Sequence, residues 1–415
     1  MSIIVQKFGG TSVGDATKIK NVAQAVIKEY EKGHDVVVVV SAMGKTTDYL
    51  VQLAKEISPK PSSREIDMLL TTGEQVSIAL LAMAIQEAGY DAISLNATQV
   101  GIITEKVHTK ARIIDIKTDK LYKYLKQNKI VVVAGFQGVT SEGEITTLGR
   151  GGSDTSAVAL AAALSAERCD IYTDVDAVYT TDPRIVPNAS RLSEISYMEM
   201  LELARVGAKV LHPRAVETAK HFNVPLRVRS SFDHENEGTL VIGVDSMEIY
   251  KPVSGIAADL SQVRLSITDV PDVPGNAAKI FNNLAANNVS VDMIIQSHGK
   301  ANQTNDIAFT VAESDLDLAV SVLERVRQEI SAAEVVIDKD IAKVSIVGAG
   351  MIDRPGIAAD MFSAIAEAGI NIKMISTSEI KISCLVDKEK AHEVVRSLHS
   401  KFQLDQEKEV VKIEG

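Results

Sequence analysis

No tryptophan occurs in the 415 residues, and aromatic side chains make up only 4% of the chain. Basic residues are in deficit too: 44 Lys and Arg stand against 55 Asp and Glu, a formal net charge of −11. A field of that sign repels polyanions and little aromatic surface is left for stacking bases, so nucleic acid is not expected as a partner. Two cysteines, Cys169 and Cys384, supply neither a disulfide framework nor a Cys-based zinc cluster. Long apolar runs are missing as well. Val36–Val40 and Ile78–Ile85 fall far short of the roughly 18 residues that span a bilayer, and Met1–Lys7 lacks the basic start of a signal peptide. A cytoplasmic protein with no membrane partner is expected.

What is present describes a folded chain. Hydrophobic residues at 46% and charged residues at 24% are ordinary for globular proteins, and the length suits two or three domains. Ile3–Phe8 is an apolar run ending in Gly9-Gly10; Asp15 then stands where an N-cap would open a helix running towards Gly33. Asp35–Ser41 is Val-rich without polar alternation, the mark of a parallel strand covered on both faces. Further strands are expected at Ala92–Leu95, Ile130–Ala134, Cys169–Thr173 and, last, Leu226–Arg229, with helical patterns at Leu69–Ala88 and Thr155–Leu164 between them. This alternation predicts an α/β fold, a three-layer αβα sandwich on a mainly parallel sheet.

Beyond Gly238 the pattern changes. Val263–Ser297 laid over Val344–Ser378 without a gap repeats the same residue at eleven of 35 positions, among them Asp272/Asp353, Pro274/Pro355 and Gly275/Gly356. Each copy reads as strand, turn, helix and strand, so a duplicated α+β module is the economical account. Such a pair either completes a core or senses a small molecule; the N–H groups at the helix start after each Pro-Gly could receive a carboxylate.

Three segments of the first half carry chemistry. Lys7-Phe8-Gly9-Gly10-Thr11-Ser12 is a Gly-rich strand-to-helix turn whose N–H groups and lysine suit an anion, although Gly-Gly also serves tight turns for steric reasons alone. It is not a Walker A loop, and Gly348-Ala349-Gly350 fails as a dinucleotide fingerprint because Asp353 stands where the third glycine belongs. Thr146–Ser156 holds Gly149, Arg150, Gly151 and Gly152 before an Ala-rich helix; Arg150 offers a planar fork for a carboxylate or is a surface charge, and Ser153 or Asp154 is a ligand group or an N-cap. Tyr172–Arg184 gathers polar residues at the end of an apolar strand, where open α/β sheets bind nucleotides. Thr71–Gln75, Ser41, Thr47 and Gly207–Val210 are further candidates. His212 and His221 are read as capping or surface residues rather than as a metal site or a base.

The combination of Lys7–Val13, Thr71–Ser77, Leu148–Asp154, Tyr172–Arg184 and Gly207–Pro213 with paired Pro-Gly modules resembles the aspartate kinases of the amino-acid kinase family, and Val344–Ser383 resembles their ACT domains. The resemblance spans essentially the whole chain. It implies an amino-acid kinase domain at 1–245 and ferredoxin-like ACT modules at 262–337 and 338–415, the second completed by a strand from 250–261. It further implies ATP-dependent phosphorylation of L-aspartate to 4-phospho-L-aspartate, the first step towards lysine, threonine and methionine. The chemistry agrees: an aspartate side chain with a pKa near ~3.9 is already a nucleophile at neutral pH, so no base is needed, but two anions must be brought together.

By the same resemblance, Lys7 would stabilise the moving phosphoryl group with Gly9, Gly10, Ser12 and Ser41 around the phosphates, and Asp154 would orient the site. Glu74 would hold the substrate ammonium and Arg150 its α-carboxylate, with Thr47, Gly151, Gly152 and Ser153 nearby. Thr173, Asp174, Tyr179, Arg184 and Lys209 would surround ATP. Mg²⁺ is expected on phosphate oxygens and water rather than in a carboxylate cage. Asp272, Ala277, Gln296, Ile357, Asn371, Ile372 and Ser378 would line an effector pocket for lysine, threonine or both, in a homo-oligomer joined through the ACT modules. Ala177, Val273 and Asn276 depart from the family's pattern; Asn276, at the effector turn, is expected to influence which amino acid is sensed. Met247 reads as a linker residue or as an internal start for a separate regulatory chain. Rival readings are a kinase of glutamate or its acetylated form, where Glu74 argues against the acetylated amine and the ACT pair against most sibling kinases, and a silent sensor, against which Lys7, Arg150 and Asp154 argue.

Overall fold

The computed structural model describes residues 2–233, 235–243, 252–297, 304–352 and 354–406; Met247 and Asp353 lie outside them. The chain divides into two compact units, one of Met1–Val178, Arg191–Ala204 and Lys209–Met247, the other of Tyr179–Ser190, Arg205–Ala208 and Glu248–Gly415.

In the first unit β1 (Ile3–Phe8) leads into α1 (Ala16–Glu31), and the Asp15 carboxylate accepts the Lys18 N–H at 2.9 Å as the expected N-cap. Then come β2 (Asp35–Val40), α2 (Thr46–Ile57), α3 (Ser63–Glu87), β3 (Ala92–Leu95), α4 (Ala97–Val100), β4 (Ile102–Thr104), β5 (Ile113–Ile116) and α5 (Asp119–Leu125). β6 (Ile130–Ala134), β7 (Gln137–Thr140), β8 (Ile145–Thr147), α6 (Gly152–Ala163) and β9 (Arg168–Thr173) follow. β10 (Glu194–Ser196), α7 (Tyr197–Arg205), α8 (Pro213–Phe222), β11 (Leu226–Ser230) and β12 (Thr239–Ile242) close the series.

Eight of these strands form one sheet in the order β10-β12-β11-β9-β1-β2-β6-β3, parallel at every step but β11–β12. Alternate residues face opposite ways. Phe8, Val36, Val38, Val40, Ile130 and Val132 bury against α1 and α3, while α6 packs on β1, β2 and β9. The result is the expected αβα sandwich. By length and composition α3 could cross a membrane, but half of its most apolar stretch is buried here, with Ile78, Leu81 and Ile85 in the core.

Three features differ from the sequence expectation. Leu226–Arg229 is not the last strand: β12 returns antiparallel to it, so closely that a Cβ on Gly238 would lie 1.8 Å from the Val228 carbonyl oxygen. β4, β5, β7 and β8 make a second small sheet in the order β5-β4-β7-β8. α3 begins at Ser63 rather than Leu69, because the Ser62 side chain caps it by accepting the Glu65 N–H.

The second unit holds β13 (Gly255–Asp259), β14 (Gln262–Pro271), α9 (Asn276–Ala286), β15 (Val291–Gln296), β16 (Thr304–Ala312), α10 (Leu316–Glu329) and β17 (Val335–Asp338). β18 (Ile341–Val347), α11 (Ile357–Glu367), β19 (Met374–Ser378), β20 (Lys381–Asp387) and α12 (Ala391–Lys401) complete it. Its two sheets run β15-β16-β14-β17 and β13-β18-β20-β19. The duplication is thus interleaved: β13, lying before the first module, takes the fourth-strand place of the second by antiparallel pairing with β18. Both α9 and α11 start after a left-handed glycine, Gly275 at φ +101° and Gly356 at φ +103°. Met293, Ile341, Met374 and Leu385 pack as one cluster across the modules, beside an ion pair of Lys343 Nζ and Asp292 Oδ2 at 2.7 Å.

Candidate active site

The parallel strands of the first unit end side by side. β1 gives way to Gly9-Gly10, β2 to Ser41, β6 to Gly135, β9 to Asp174 and β11 to Ser231. The carboxyl edge of such a sheet is where the fold gathers loops without strand hydrogen bonds to satisfy, and there most of the expected residues meet.

Lys7 stands on the sheet face that carries α6. Its Nζ lies 2.6 Å from Asp154 Oδ1, with the two side chains 11% and 15% exposed, a contact short enough for an ion pair although its direction is not that of a hydrogen bond. Asp154 sits in the first turn of α6, and its carboxylate holds the ammonium at the strand end. Gly9 lies beside the Lys7 ammonium, where an added Cβ would stand 3.5 Å from Nζ, an ordinary contact. Gly10 lets two turns close up: its carbonyl accepts the Gly44 N–H at 2.9 Å, and a Cβ would stand 2.7 Å from the Ala42 oxygen.

Ser41 Oγ donates to Ser153 Oγ at 2.9 Å. Gly135 makes that approach possible, because a Cβ there would come within 2.9 Å of Ser153. Glu74 reaches the same edge from α3. It is 2% exposed, its Oε1 accepts the Ala42 N–H at 3.1 Å, and its Oε2 has no partner among the described residues. Burial raises its carboxyl to about 7. Thr47 is half-buried in the first turn of α2.

Arg150 is exposed and makes no hydrogen bond or ion pair with another described residue. Its loop, in contrast, is tightly held: Gly149 and Gly151 are left-handed at φ +76° and +70°, and the Gly151 Cα packs so close to the His212 ring that a Cβ would overlap it at 2.1 Å. His212 does cap a helix, as expected, accepting the Arg214 N–H at the start of α8. Burial lowers its imidazole below the usual range, with Asp154 opposing and Arg214 and Arg150 reinforcing the shift.

Ser12 Oγ is engaged by Ser231 Oγ at 2.6 Å, and the Ser231 N–H donates to the Thr173 carbonyl at 2.8 Å. Thr173 Oγ1 donates to Asp174 at 3.1 Å, and Lys209 is exposed at φ +52°. Tyr179 and Arg184 fall in the second unit, where Arg184 forks onto Asp182 at 2.6 and 2.9 Å. There Val186 is buried with Ile256, Met361 and Leu398. Ser231, Gly135 and the closeness of His212 to Gly151 were not visible in sequence: each depends on partners 18 or more residues away that only the sheet order brings together. No group of three or more His, Cys, Asp or Glu side chains placed to hold a metal ion occurs among the described residues.

Of the expected effector residues, Asp272, Gln296, Asn371 and Ser378 are exposed, Ala277 and Ile372 half-buried, and Ile357 buried at the start of α11. Asn276, at the turn expected to meet the effector, is 9% exposed and its Nδ2 donates to the Pro271 carbonyl at 2.8 Å.

Comparison with known proteins matches residues 2–230 to the amino acid kinase family and residues 266–326 and 344–402 to the ACT domain. The chain is 54% identical over 404 residues to the aspartokinase of Bacillus sp. strain MGA3, covering 97% of this chain and 98% of that protein. E. coli aspartokinase III in complex with aspartate and ADP, in the R-state, is 29% identical with a TM-score of 0.80, over 96% of this chain and 99% of that one. The T-state of E. coli aspartokinase III with lysine and aspartate, also 29% identical over the same shares, gives 0.77. The chain belongs to the amino acid kinase family, in its aspartokinase branch, and carries two ACT segments.

Proposed function

We propose that the chain transfers the γ-phosphoryl group of ATP to the side-chain carboxylate of L-aspartate, giving 4-phospho-L-aspartate and ADP, at the head of lysine, threonine and methionine synthesis in the cytosol. The observation that carries this reading is the buried Glu74 with its unpartnered Oε2, at the same sheet edge as the Lys7–Asp154 pair. An ammonium group is the natural occupant beside a buried free carboxylate oxygen. Arg150, unengaged by protein, suits the α-carboxylate, so the two side chains select a zwitterion; Thr47, Gly151, Gly152 and Ser153 line its approach. A substrate oxygen then attacks the γ-phosphorus while the bond to the bridging β-oxygen breaks. Lys7 offsets the repulsion between the two anions, with the Gly9–Ser12 turn and Ser41 beside it. Thr173, Asp174, Tyr179, Arg184 and Lys209 are assigned to the nucleotide, and Mg²⁺ would supply further charge neutralisation on its phosphates.

Residues 1–245 form the catalytic domain in this reading, and 262–337 and 338–415, with β13, the ACT modules of a homo-oligomer. E. coli aspartokinase III is known with lysine bound, which supports feedback by lysine, threonine or both at a pocket of Asp272, Ala277, Gln296, Ile357, Asn371, Ile372 and Ser378. An ATP-dependent hydroxamate assay with aspartate, glutamate and acetylglutamate in parallel tests the reaction. Aspartate alone should react; equal turnover of acetylglutamate would refute the role of Glu74. Millimolar lysine or threonine should alter activity or melting temperature.

A further inference from the structure

Arg150 is exposed and makes no hydrogen bond or ion pair with another described residue, so its backbone is what carries its guanidinium to its place. That backbone is held by two residues outside the loop. Arg214, half-buried in the first turn of α8, donates from Nη1 to the Leu148 carbonyl at 2.6 Å and from Nη2 to the Ala111 carbonyl at 3.1 Å. Asp67, fully buried on α3, accepts Thr147 Oγ1 at 2.6 Å, the Thr109 N–H at 3.0 and 3.1 Å, and His108 Nδ1 at 2.8 Å. Both therefore tie residues 147–148 to residues 108–111, and the Ala111 N–H donates to the Thr147 carbonyl between them at 3.0 Å. The two segments touch once more at Gly149, where a Cβ would lie 2.8 Å from the Thr109 oxygen.

We infer that Arg214 and Asp67 are positioning residues for aspartate binding: they brace the 147–152 turn from two sides so that Arg150 meets the substrate carboxylate without either of them touching it. The inference rests on the assignment of Arg150 to the α-carboxylate. A long side chain on an unbraced loop loses conformational freedom on every binding event, whereas a fixed turn has lost it already on folding. Charge-assisted bonds to two carbonyls suit this task, since one planar fork holds both at a set spacing.

The test is steady-state kinetics on the full chain. Arg214→Met keeps the apolar stem and removes both bonds; it should raise KM for aspartate roughly 10-fold or more while KM for ATP stays within about twofold. Arg214→Lys, able to reach one carbonyl, should recover part of the loss, and Thr147→Val, near-isosteric and without the hydroxyl, should raise the aspartate KM by a smaller factor. A residue that merely stabilises the fold would act whether or not Arg150 is present. The double variant Arg150→Ala/Arg214→Met should therefore show no more loss of aspartate affinity than Arg150→Ala alone. Additive losses, or Arg214→Met and Thr147→Val at wild-type aspartate KM while Arg150→Ala raises it, would overturn the inference and leave the site reading intact. If Arg150→Ala itself leaves the aspartate KM unchanged, the site reading fails instead. Should Arg214→Met not fold, Arg214→Lys and Thr147→Val, each combined with Arg150→Ala, decide the matter.

Discussion

The Ala42 N–H donates to Glu74 Oε1 at 3.1 Å, and the second oxygen of this carboxylate, only 2% exposed, has no partner among the described residues. Burial raises the carboxyl to about 7 from an ordinary 4.5. The folded chain therefore binds more protons at Glu74 than the unfolded chain between those values, so this group's contribution is fully favourable below pH 4.5 and is lost as pH rises through 7. The loss is up to about 3 kcal/mol. Glu74→Gln should remove that slope: thermal unfolding at pH 5 should barely change, and at pH 8 the variant should melt higher than the parent. An ammonium ligand reverses the preference by favouring the carboxylate. The aspartate KM should fall between pH 6 and pH 8, and calorimetry at pH 6 in buffers of different ionisation enthalpy should record proton release on aspartate binding.

Lys7 is expected to act on the rate. It is paired with Asp154 at 2.6 Å rather than with the groups assigned to aspartate, so Lys7→Ala should leave the aspartate KM within about threefold and lower kcat by roughly 10²–10³, the range for removing a preorganised charge from a developing anion. Stopped-time assays of ADP release at saturating substrates measure this directly. Turnover equal to the parent would remove Lys7 from the mechanism.

The parts of the fold legible in sequence were those with a single physical cause. Val36–Val40 and Ile130–Ala134 are apolar throughout because both faces of their strands are covered, and Asp15 caps α1 through a bond to the local Lys18 N–H. The duplicated Pro-Gly turns were legible because each left-handed glycine stands at the same offset from its helix. β4, β5, β7 and β8 were not. Strands of three or four residues such as Gln137–Thr140 and Ile145–Thr147 have too few positions to show alternation, and they pair only because neighbours supply partners. The site divides the same way. Lys7, Glu74, Arg150 and Asp154 announce charge beside glycine; Arg214 and Asp67 act through backbone carbonyls, N–H groups and a hydroxyl on distant segments, which no local pattern encodes.

Tyr179–Arg184, proposed above for the nucleotide, fall in the second unit, where Thr180 is the most firmly held residue of the segment. Thr180 Oγ1 lies 3.0 Å from His399 Nε2 and 3.3 Å from the Leu404 carbonyl, and its own carbonyl accepts the Ile256 N–H at 2.7 Å. Thr180 and His399 are 5% and 2% exposed. Thr180→Val keeps the shape and removes the hydroxyl, so about 1–2 kcal/mol of stability should be lost. Because Tyr179 and Arg184 flank Thr180, the ATP KM should rise while the aspartate KM holds. A higher aspartate KM with an unchanged ATP KM would contradict the assignment of this segment to nucleotide.

Asn276 departs from the family's pattern at a turn expected to meet the effector, yet its amide is spent on the protein. Its Nδ2 donates to the Pro271 carbonyl at 2.8 Å, closing the turn ahead of α9, and the residue is 9% exposed, as is Ile357 at the matching position of the second module. The Pro271 oxygen also accepts the Val273 N–H, so losing the amide leaves no orphaned acceptor. Asn276→Ala should therefore cost only about 0.5–1.5 kcal/mol of stability and leave the relative response to lysine and threonine unchanged. Asp272, exposed four residues earlier, should behave in the opposite way: Asp272→Ala should weaken the effector response with little change in melting temperature. Inhibition curves for both amino acids, recorded beside thermal melts of the two variants, separate a turn residue from a ligand contact; a changed lysine-to-threonine ratio in Asn276→Ala would restore it to the effector pocket.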